Sequence, residues 1–268
     1  MPLELAYRAI RDSRRGLVAW CVGVVAYVAM IATIFPSIES TPDFNELIES
    51  YPEVLKSLFG IVEGGDITSG PGFADAELFS FMLPLLVLVL AIGYGARTFA
   101  GEEDAGRLEL LLAYPLRRRA AVAAKAAALA VQVVVVCLAG WLALFVLDPL
   151  IGLDVELPNL TAAFVGLAVL GLFHGWLALA LGAAIPNRAL AIAVPAGLAA
   201  AGYLVNGLHD LAGWLDPFRF VSPFWLVDAT SPLQTGIDEV GTVVVLAAGA
   251  LALAAGALLV ERRDLQTP

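Results

Sequence analysis

Three polar side chains interrupt long apolar stretches of this 268-residue chain: Gln132, His174 and Asn206. A polar group inside a membrane-spanning segment is energetically costly, and such residues mark substrate paths, proton relays and ion sites. An imidazole can titrate near neutral pH or bind a metal, whereas an amide can line a substrate path. His174 stands between Gly171 and Gly175, which favours a neutral packing residue, and hydrogen bonding between helices is the simpler interpretation of both amides. The three residues are the candidates for a translocation path.

Residues typical of catalysis or nucleotide binding are sparse. The two lysines, Lys56 and Lys125, follow Leu and Ala, so neither completes the phosphate-binding pattern G-x-x-x-x-G-K-[ST]. The sequence contains no HExxH, CxxC or G-x-S-x-G. Cys21 and Cys137 lie inside apolar runs without metal-site spacing. The sequence therefore predicts no catalytic residue, no metal site and no cofactor bound by this chain.

The composition is that of a membrane protein. Hydrophobic residues make up 60% of the chain, and the mean hydropathy is +0.86. A helix needs roughly 20 apolar residues to cross a bilayer. Six stretches meet this length, at about 16–35, 79–99, 120–147, 160–185, 190–208 and 240–260. We therefore predict an all-α polytopic membrane protein with six transmembrane helices in a single domain, 1–268.

The charges divide sharply between alternate loops. The N-terminus, the segment 97–125, Arg188 and the C-terminus contain 13 basic and 8 acidic residues, whereas the other loops contain 2 basic and 17 acidic residues. Basic residues concentrate on the cytoplasmic side of membrane proteins. Both termini are therefore predicted to be cytoplasmic, in the plasma membrane, and an even number of spans agrees with this.

Two outer segments have their own patterns. In the outer loop 36–78, Thr41 is a candidate N-cap, and apolar residues at helical spacing predict an amphipathic helix that Pro52 breaks or kinks. The segment 209–239 is too polar to span a membrane and is rich in Trp and Phe, which predicts re-entrant or interfacial short helices. Spans four and five, joined at Pro186, are expected to form a tight hairpin.

The segment GEEDAGRLELLLAYPLRRR, residues 101–119, places a charged helix former between spans two and three. Its acidic first turn favours a helix start, its leucines fall on one face, and Pro115 ends the helix. The expected element is a short cytoplasmic helix over 101–116. From the residues alone, an interfacial anchor and a docking helix for a cytoplasmic partner remain equally open.

The run AGEEDAGRLELLLAYPLRRRAAVAAK resembles the signature of type-2 ABC transporter permeases, the exporter transmembrane-domain family. The matching features are an acidic pair, a Gly-containing turn, a Leu-rich run, Pro, basic residues and Lys125. The resemblance extends to the six spans, to SPF at 222–224 and to the ending ERRDL. One departure is Arg107, where the family commonly has Thr.

The resemblance implies that residues 101–116 form a coupling helix that docks into an ATP-binding subunit and passes its closure to the spans. The residues implied in docking are Glu102, Glu103, Asp104, Gly106, Arg107, Leu108, Glu109, Leu111, Leu112 and Pro115. ATP and magnesium would bind to that partner subunit. The other expected partners are a second copy or a different permease, and membrane lipid, with no nucleic acid.

Two other classes of membrane protein have different sequence requirements. An ion-coupled secondary transporter or channel requires ion-coupling residues or interrupted helices at midplane. The predicted spans contain almost no acidic residues away from their ends. An intramembrane enzyme requires a converging pair of reactive groups, and the sequence shows no partner for His174. The predicted function is an ABC exporter permease of unidentified substrate, with the secondary transporter or channel as the alternative.

Overall fold

The structure is a computed structural model. Within the described residues, all of its regular elements are helical. The described residues are 2–40, 47–48, 50–59, 61, 67–104, 117–227 and 231–262.

Six long helices form the framework in the described part of the chain, and their number confirms the predicted number of spans. They are α1 (Pro2–Ala32), α2 (Met82–Thr98), α3 (Arg118–Ile151), α4 (Leu157–Ala184), α5 (Arg188–Leu208) and α6 (Glu239–Arg262). Each belongs to a helical segment long and apolar enough to cross a membrane. The protein is therefore a multi-pass membrane protein built from a helix bundle.

Helix α4 lies at the centre of the bundle and packs against α2, α3, α5 and α6. In the most apolar part of the α2 and α4 spans, 61% of residues are buried, compared with 22% for α1, α5 and α6. The core of the protein is therefore the α2–α4 pair. The other faces of α1, α5 and α6 expose apolar residues, as surfaces in contact with lipid or another chain do.

Glycines allow α2 and α4 to approach closely. A β-carbon built on Gly95 would lie 2.4 Å from the carbonyl oxygen of Gly175, and one built on Gly171 would lie 2.5 Å from a methyl group of Val87. Small residues spaced four apart let two backbones touch, which is the main source of helix association in lipid. A further close approach, of Gly256 to Ala180, joins α6 to the opposite side of α4.

The two ends of the bundle differ in charge. We call one the arginine-rich end: α1, α3 and α5 begin there, and α2, α4 and α6 end there. At this end Arg118 donates to the carbonyl oxygen of Val260 at 3.1 Å, and Arg119 pairs with Glu261 at 3.3 Å. We call the opposite end the acidic end.

Local sequence signals explain the helix boundaries at both ends. Gly152, with φ of +69°, ends α3 in the left-handed conformation that glycine adopts without strain. Helix α4 ends before Pro186, since the residue preceding proline disfavours helical geometry. Asn187 then caps α5 by accepting from the backbone N–H of Leu190 at 3.1 Å. The connection between α4 and α5 is as short as the sequence predicts.

The second span begins earlier than expected. The sequence predicts residues 70–78 as part of the outer loop, but Gly70–Ala74 is an α-helix and Asp75–Phe79 is a π-helical turn leading into α2. The carboxylate of Asp75 is fully buried and accepts hydrogen bonds from the backbone N–H of Leu233 at 3.0 Å and from Nε2 of Gln234 at 3.2 Å. These partners, far along the chain, compensate the carboxylate for the loss of water.

The other predicted segments at the acidic end are helical in part. In the loop 36–78, short helices span Phe35–Glu39 and Glu53–Leu58, the latter starting directly after Pro52. The predicted cap Thr41 lies outside the described residues. In 209–239, short helices span Asp216–Val221, Pro223–Leu226 and Pro232–Thr235.

Candidate functional site

A polar cavity of about 820 Å³ opens between α1 and α2 at the arginine-rich end. Helix α1 contributes residues from Ala9 to Trp20, and α2 contributes residues from Val89 to Thr98. Glu102, Gln132 and Arg188 complete the lining. The cavity exists because α1 packs on α3 along its length and makes few contacts with α2. Its volume lies in the range of small-molecule binding sites.

An apolar groove of about 510 Å³ lies between α2 and α5. Its walls are aliphatic and aromatic residues of α2, from Phe81 to Gly93, and of α5, from Ile192 to Leu204, with Phe224 from the short helix at the acidic end. The hydroxyl of Tyr203 donates to the carbonyl oxygen of Leu58 at 2.6 Å. The groove therefore presents almost only hydrocarbon to an occupant.

The polar cavity and the apolar groove meet at two residues of α2. Val89 and Gly93 line both of them. Gly93 is exposed, and a β-carbon built on it would have no atom within 4 Å. The polar cavity and the apolar groove therefore adjoin on the face of α2 that points away from α4, and we call the two together the depression on α2: it is polar towards the arginine-rich end and apolar towards the acidic end.

Lys125 joins three elements at the arginine-rich end. Its side chain is only 2% exposed, and its Nζ donates to the carbonyl oxygen of Thr98 and to the carboxylate of Glu102. Thr98 is the last residue of α2, Glu102 lies in the short helix Ala100–Asp104, and Lys125 belongs to α3. The ammonium also lies 5.3 Å from the ring centre of Phe99. We call the contacts of Nζ with Thr98 and Glu102 the Lys125 bridge.

The bridge satisfies groups that burial would otherwise leave without partners. The last carbonyl groups of a helix have no partner within the helix, and an ammonium in an apolar environment requires acceptors. Thr98 and Glu102 meet both needs. The bridge therefore fixes the end of α2, the start of the charged segment and α3 relative to one another.

Two arginines lie at the rim of the polar cavity. Arg97 is in the last turn of α2, and Arg188 is the first residue of α5. A β-carbon built on Gly101 would lie 3.5 Å from Cγ of Arg97 and 3.7 Å from Cδ of Arg188, so the two side chains flank the same glycine. Arg97 also lies over the ring of Tyr94, at 5.8 Å.

The structure separates the three residues predicted for a translocation path. Gln132 lines the polar cavity and donates to the carbonyl oxygen of Ala128 at 3.5 Å. His174 is fully buried in α4, away from both the cavity and the groove. Asn206 is half-buried in α5 and is absent from the lining of either. The three side chains therefore do not share the lining of either the cavity or the groove.

His174 has the environment of a packing residue. Its Nδ1 lies 2.9 Å from the carbonyl oxygen of Leu170, one turn earlier in α4, and this carbonyl requires that Nδ1 carry the proton. The ring meets Phe173 and Phe224 edge to face, with centroid distances of 4.8 and 6.4 Å. Nε2 is buried without a hydrogen-bond partner among the described residues. The neutral tautomer suits these surroundings.

The predicted docking residues are described only at their start. The backbone of Glu102, Glu103 and Asp104 is helical. The carboxylate of Glu102 contacts Lys125 within the chain, whereas the resemblance placed it against an ATPase. The remaining predicted docking residues lie outside the described residues: Gly106, Arg107, Leu108, Glu109, Leu111, Leu112 and Pro115.

Sequence reasoning missed the role of Lys125. It stood in the sequence as one of many basic residues at a span boundary, although its flanks, AVAAKAAALA, are continuously apolar. A single lysine inside an apolar run is a signal for a buried partner. The glutamate 23 residues earlier could be identified only from the fold.

Comparison with protein families supports the assignment as a transport protein. Residues 3–265 match the model of a family described as ABC-2 family transporter protein. The match covers nearly the whole chain. No protein of curated function matches at a significant level.

Proposed function

This chain belongs to the ABC-2 family of transporter proteins, and we propose that it is the permease subunit of an ATP-binding-cassette exporter. The family assignment makes it the membrane component of an ABC transporter and a transport subunit without catalysis of its own. The proposal adds that a separate ATPase subunit binds ATP and magnesium and drives export. No cofactor is assigned to this chain.

The Lys125 bridge is the observation that carries the coupling proposal. A force applied to the charged segment after Asp104 reaches Glu102 through one turn of helix, and Lys125 connects Glu102 to α2 and α3. Helix α2 forms one wall of both the polar cavity and the apolar groove. In our proposal, an ATPase that moves residues 101–116 therefore changes the walls of the depression on α2.

The proposed orientation follows from the charges. In our proposal the arginine-rich end faces the cytoplasm, so both termini and the coupling segment are cytoplasmic in the plasma membrane. The side chains of Arg14, Arg15, Arg97 and Arg188 are exposed at this end. Such positions suit the phosphates of an inner leaflet.

We also propose that two permeases pair, as two copies of this chain or with a different permease. Exposed small residues run along two helices at spacings of three and four: Gly16, Ala19, Gly23 and Ala26 on α1, and Ala193, Gly197 and Ala201 on α5. β-Carbons built on Gly16, Gly23 and Gly197 would have no atom within 4 Å. Such stripes are typical of helix–helix contacts in membranes.

Purification from the native membrane in mild detergent tests the coupling proposal. We expect a tagged chain to retain an ATPase near equal stoichiometry. The triple substitution Leu108→Ala, Leu111→Ala and Leu112→Ala should release it, because leucines on one face form the apolar contact of a docking helix. Leu150→Ala is the matched control, since Leu150 is 73% exposed at the acidic end.

The substitution Glu103→Arg should leave the permease inserted and uncouple it. It reverses a charge in the first turn of the predicted coupling helix, where the ATPase is expected to present basic groups. Folding is checked by gel filtration, and coupling by ATP hydrolysis of the purified complex. Retention of the ATPase by the triple leucine variant, or normal coupling with Glu103→Arg, would refute the docking role.

A further inference from the structure

The depression on α2 has the charge and polarity of a site for a specific class of ligand. Its polar part contains two basic groups at the rim, Arg97 and Arg188, and its apolar part extends along α2 as far as Phe81. Arg97 and Phe81 are 16 residues apart, roughly 24 Å along the helix axis. The polar and apolar parts share Val89 and Gly93.

Most polar side chains of the cavity are already satisfied within the protein. Ser13 donates to the carbonyl oxygen of Ala9 at 2.8 Å. Thr98 donates to the carbonyl oxygen of Tyr94, and Glu102 accepts from Lys125. These groups contribute to the lining but have little hydrogen-bonding capacity left for a ligand.

The arginines remain available. In the part of the chain that the structure describes, neither Arg97 nor Arg188 forms an ion pair. Asp12, on α1, is the other charged residue that lines the cavity and forms no ion pair within the described residues. The rim therefore carries two guanidinium groups against one carboxylate. Guanidinium groups bind phosphate and carboxylate with paired, charge-assisted hydrogen bonds.

The apolar groove restricts the rest of the ligand. A polar solute would lose its hydration there without receiving hydrogen bonds in return, because the walls are hydrocarbon. An alkyl chain has no such penalty and gains from each apolar contact. Gly93 leaves the connection between cavity and groove open, since its lack of a side chain keeps that point unfilled.

The geometry points to an anionic amphiphile as the ligand of this depression, with a phosphate or carboxylate at Arg97 and Arg188 and an alkyl chain passing Gly93 into the groove between α2 and α5. The claim that this amphiphile is a transported substrate rests on the proposed exporter function. The claim that it binds here does not. The same head and tail chemistry belongs to single-chain amphiphiles and to anionic phospholipids.

Binding is tested on the purified full-length permease in dodecyl maltoside, with dodecyl phosphate as the probe and native mass spectrometry as the readout. We expect one dodecyl phosphate bound per permease. Inorganic phosphate and dodecanol, which supply the head and the tail separately, should compete weakly. If phosphatidylglycerol at the concentration of the probe displaces bound dodecyl phosphate, the source is a phospholipid. If bound dodecyl phosphate is retained, the source is a single-chain amphiphile.

Two variants locate the site. The double substitution Arg97→Gln and Arg188→Gln should weaken dodecyl phosphate binding about tenfold or more, because it removes charge-assisted hydrogen bonds. Arg14→Gln with Arg15→Gln is the matched control, because these exposed arginines lie at the same end but outside the cavity lining. Gly93→Leu should also weaken binding, by filling the point where the cavity and the groove meet.

Three outcomes would overturn the inference. If inorganic phosphate competes as strongly as an intact amphiphile, the site binds only an anion; if dodecanol does so, the site binds only an alkyl chain. The third outcome is unchanged dodecyl phosphate binding in the Arg97→Gln, Arg188→Gln variant. Since the assay contains no ATPase, it is independent of the docking experiment. A permease that retains its ATPase but does not bind dodecyl phosphate refutes the proposed ligand and leaves the proposed function intact. A permease that binds dodecyl phosphate but does not retain an ATPase refutes only the proposed coupling.

Discussion

Helix α2 has two faces with opposite properties. The face towards α4 is closed: Gly95 touches the backbone of Gly175, and Ala91 is fully buried. The opposite face is open, with Gly93 exposed where the polar cavity and the apolar groove meet. Two glycines two residues apart in one helix thus serve different purposes. At Gly95 the missing side chain lets two helices touch, and at Gly93 it leaves space.

The difference separates the part of the bundle that holds the fold from the part available for function. A closely packed helix pair in lipid gains van der Waals contacts that neither helix can replace with lipid tails. An exposed depression gains no such contacts until lipid, another chain or a ligand fills it. In our interpretation, α2 is a rigid wall attached to α4, and α1 and α5 form the other walls of the depression.

The largest expected effect is on thermal stability: Gly95→Ala and Gly93→Ala should change Tm in opposite directions. Alanine normally stabilises a helix relative to glycine by about 0.5–1 kcal/mol. A β-carbon on Gly95, however, would lie 2.4 Å from the carbonyl oxygen of Gly175, so α2 and α4 must separate. Overpacking of this kind costs about 1–3 kcal/mol. We expect a lower Tm in detergent for Gly95→Ala and an unchanged or higher Tm for Gly93→Ala.

Each variant is the control for the other, because the side chain added and the helix are the same. Both are measured at one detergent concentration, since the stability of a membrane protein depends on it. Equal changes in Tm would show that the two faces of α2 do not differ in packing, and the comparison would fail.

The next effect concerns the end of α2, which the Lys125 bridge joins to α3. Lys125→Met keeps the length of the side chain but leaves the Thr98 carbonyl and the Glu102 carboxylate without this donor. An unsatisfied buried polar group costs about 1–3 kcal/mol. We expect a clear loss of thermal stability in detergent, and weaker coupling of ATP hydrolysis to the permease where folded protein is recovered.

The other lysine is a natural control. Lys56, whose side chain is 15% exposed, pairs at 2.8 Å with Glu53, whose side chain is 55% exposed, near the acidic end. Solvent-accessible pairs of this kind contribute about 0–1 kcal/mol. Lys56→Met should therefore change Tm much less than Lys125→Met. A similar small change for both lysines would indicate that water replaces the Lys125 bridge.

The helix count was predictable from the sequence because apolar length alone determines which segments can span a membrane. The start of the second span was not predictable. The sequence predicts residues 70–78 as part of the outer loop, and the buried contacts of Asp75 with Leu233 and Gln234 show what holds the helix there. Hydropathy averages over neighbouring residues and cannot detect a partner 158 residues away.

The candidate site was predictable only in part for a related reason. Gly171 and Gly175, four residues apart, lie on one face of α4, but their spacing does not show that α2 provides the other side of the contact. The path residues were chosen because they are polar, and this criterion selected Gln132 on the cavity and the buried His174 alike. The shape of a cavity depends on the distance between α1 and α2, which no local pattern records.

Single cysteine substitutions should disturb the structure least, and labelling of their thiols tests most directly which residues are in contact with water. In a background with Cys21→Ser and Cys137→Ala, we expect the variant Gly93→Cys to react fast with a small anionic methanethiosulfonate reagent. Gln132→Cys should react more slowly, because Gln132 lines the cavity but is only 2% exposed, and His174→Cys should not react. The reaction is followed by the mass increase of the intact protein.

Comparing the labelling rates of an anionic and a cationic reagent distinguishes an open face of α2 from a bundle that is loosely packed throughout. Arg97 and Arg188 at the rim raise the local concentration of anions, so the anionic reagent should react with Gly93→Cys faster than a cationic reagent of similar size. This preference should decrease with salt, which screens charges over about 10 Å at 0.1 M. Labelling of His174→Cys at a similar rate would mean that the packing around α4 opens in solution, and reagent access would then no longer distinguish a packed residue from the open face of α2.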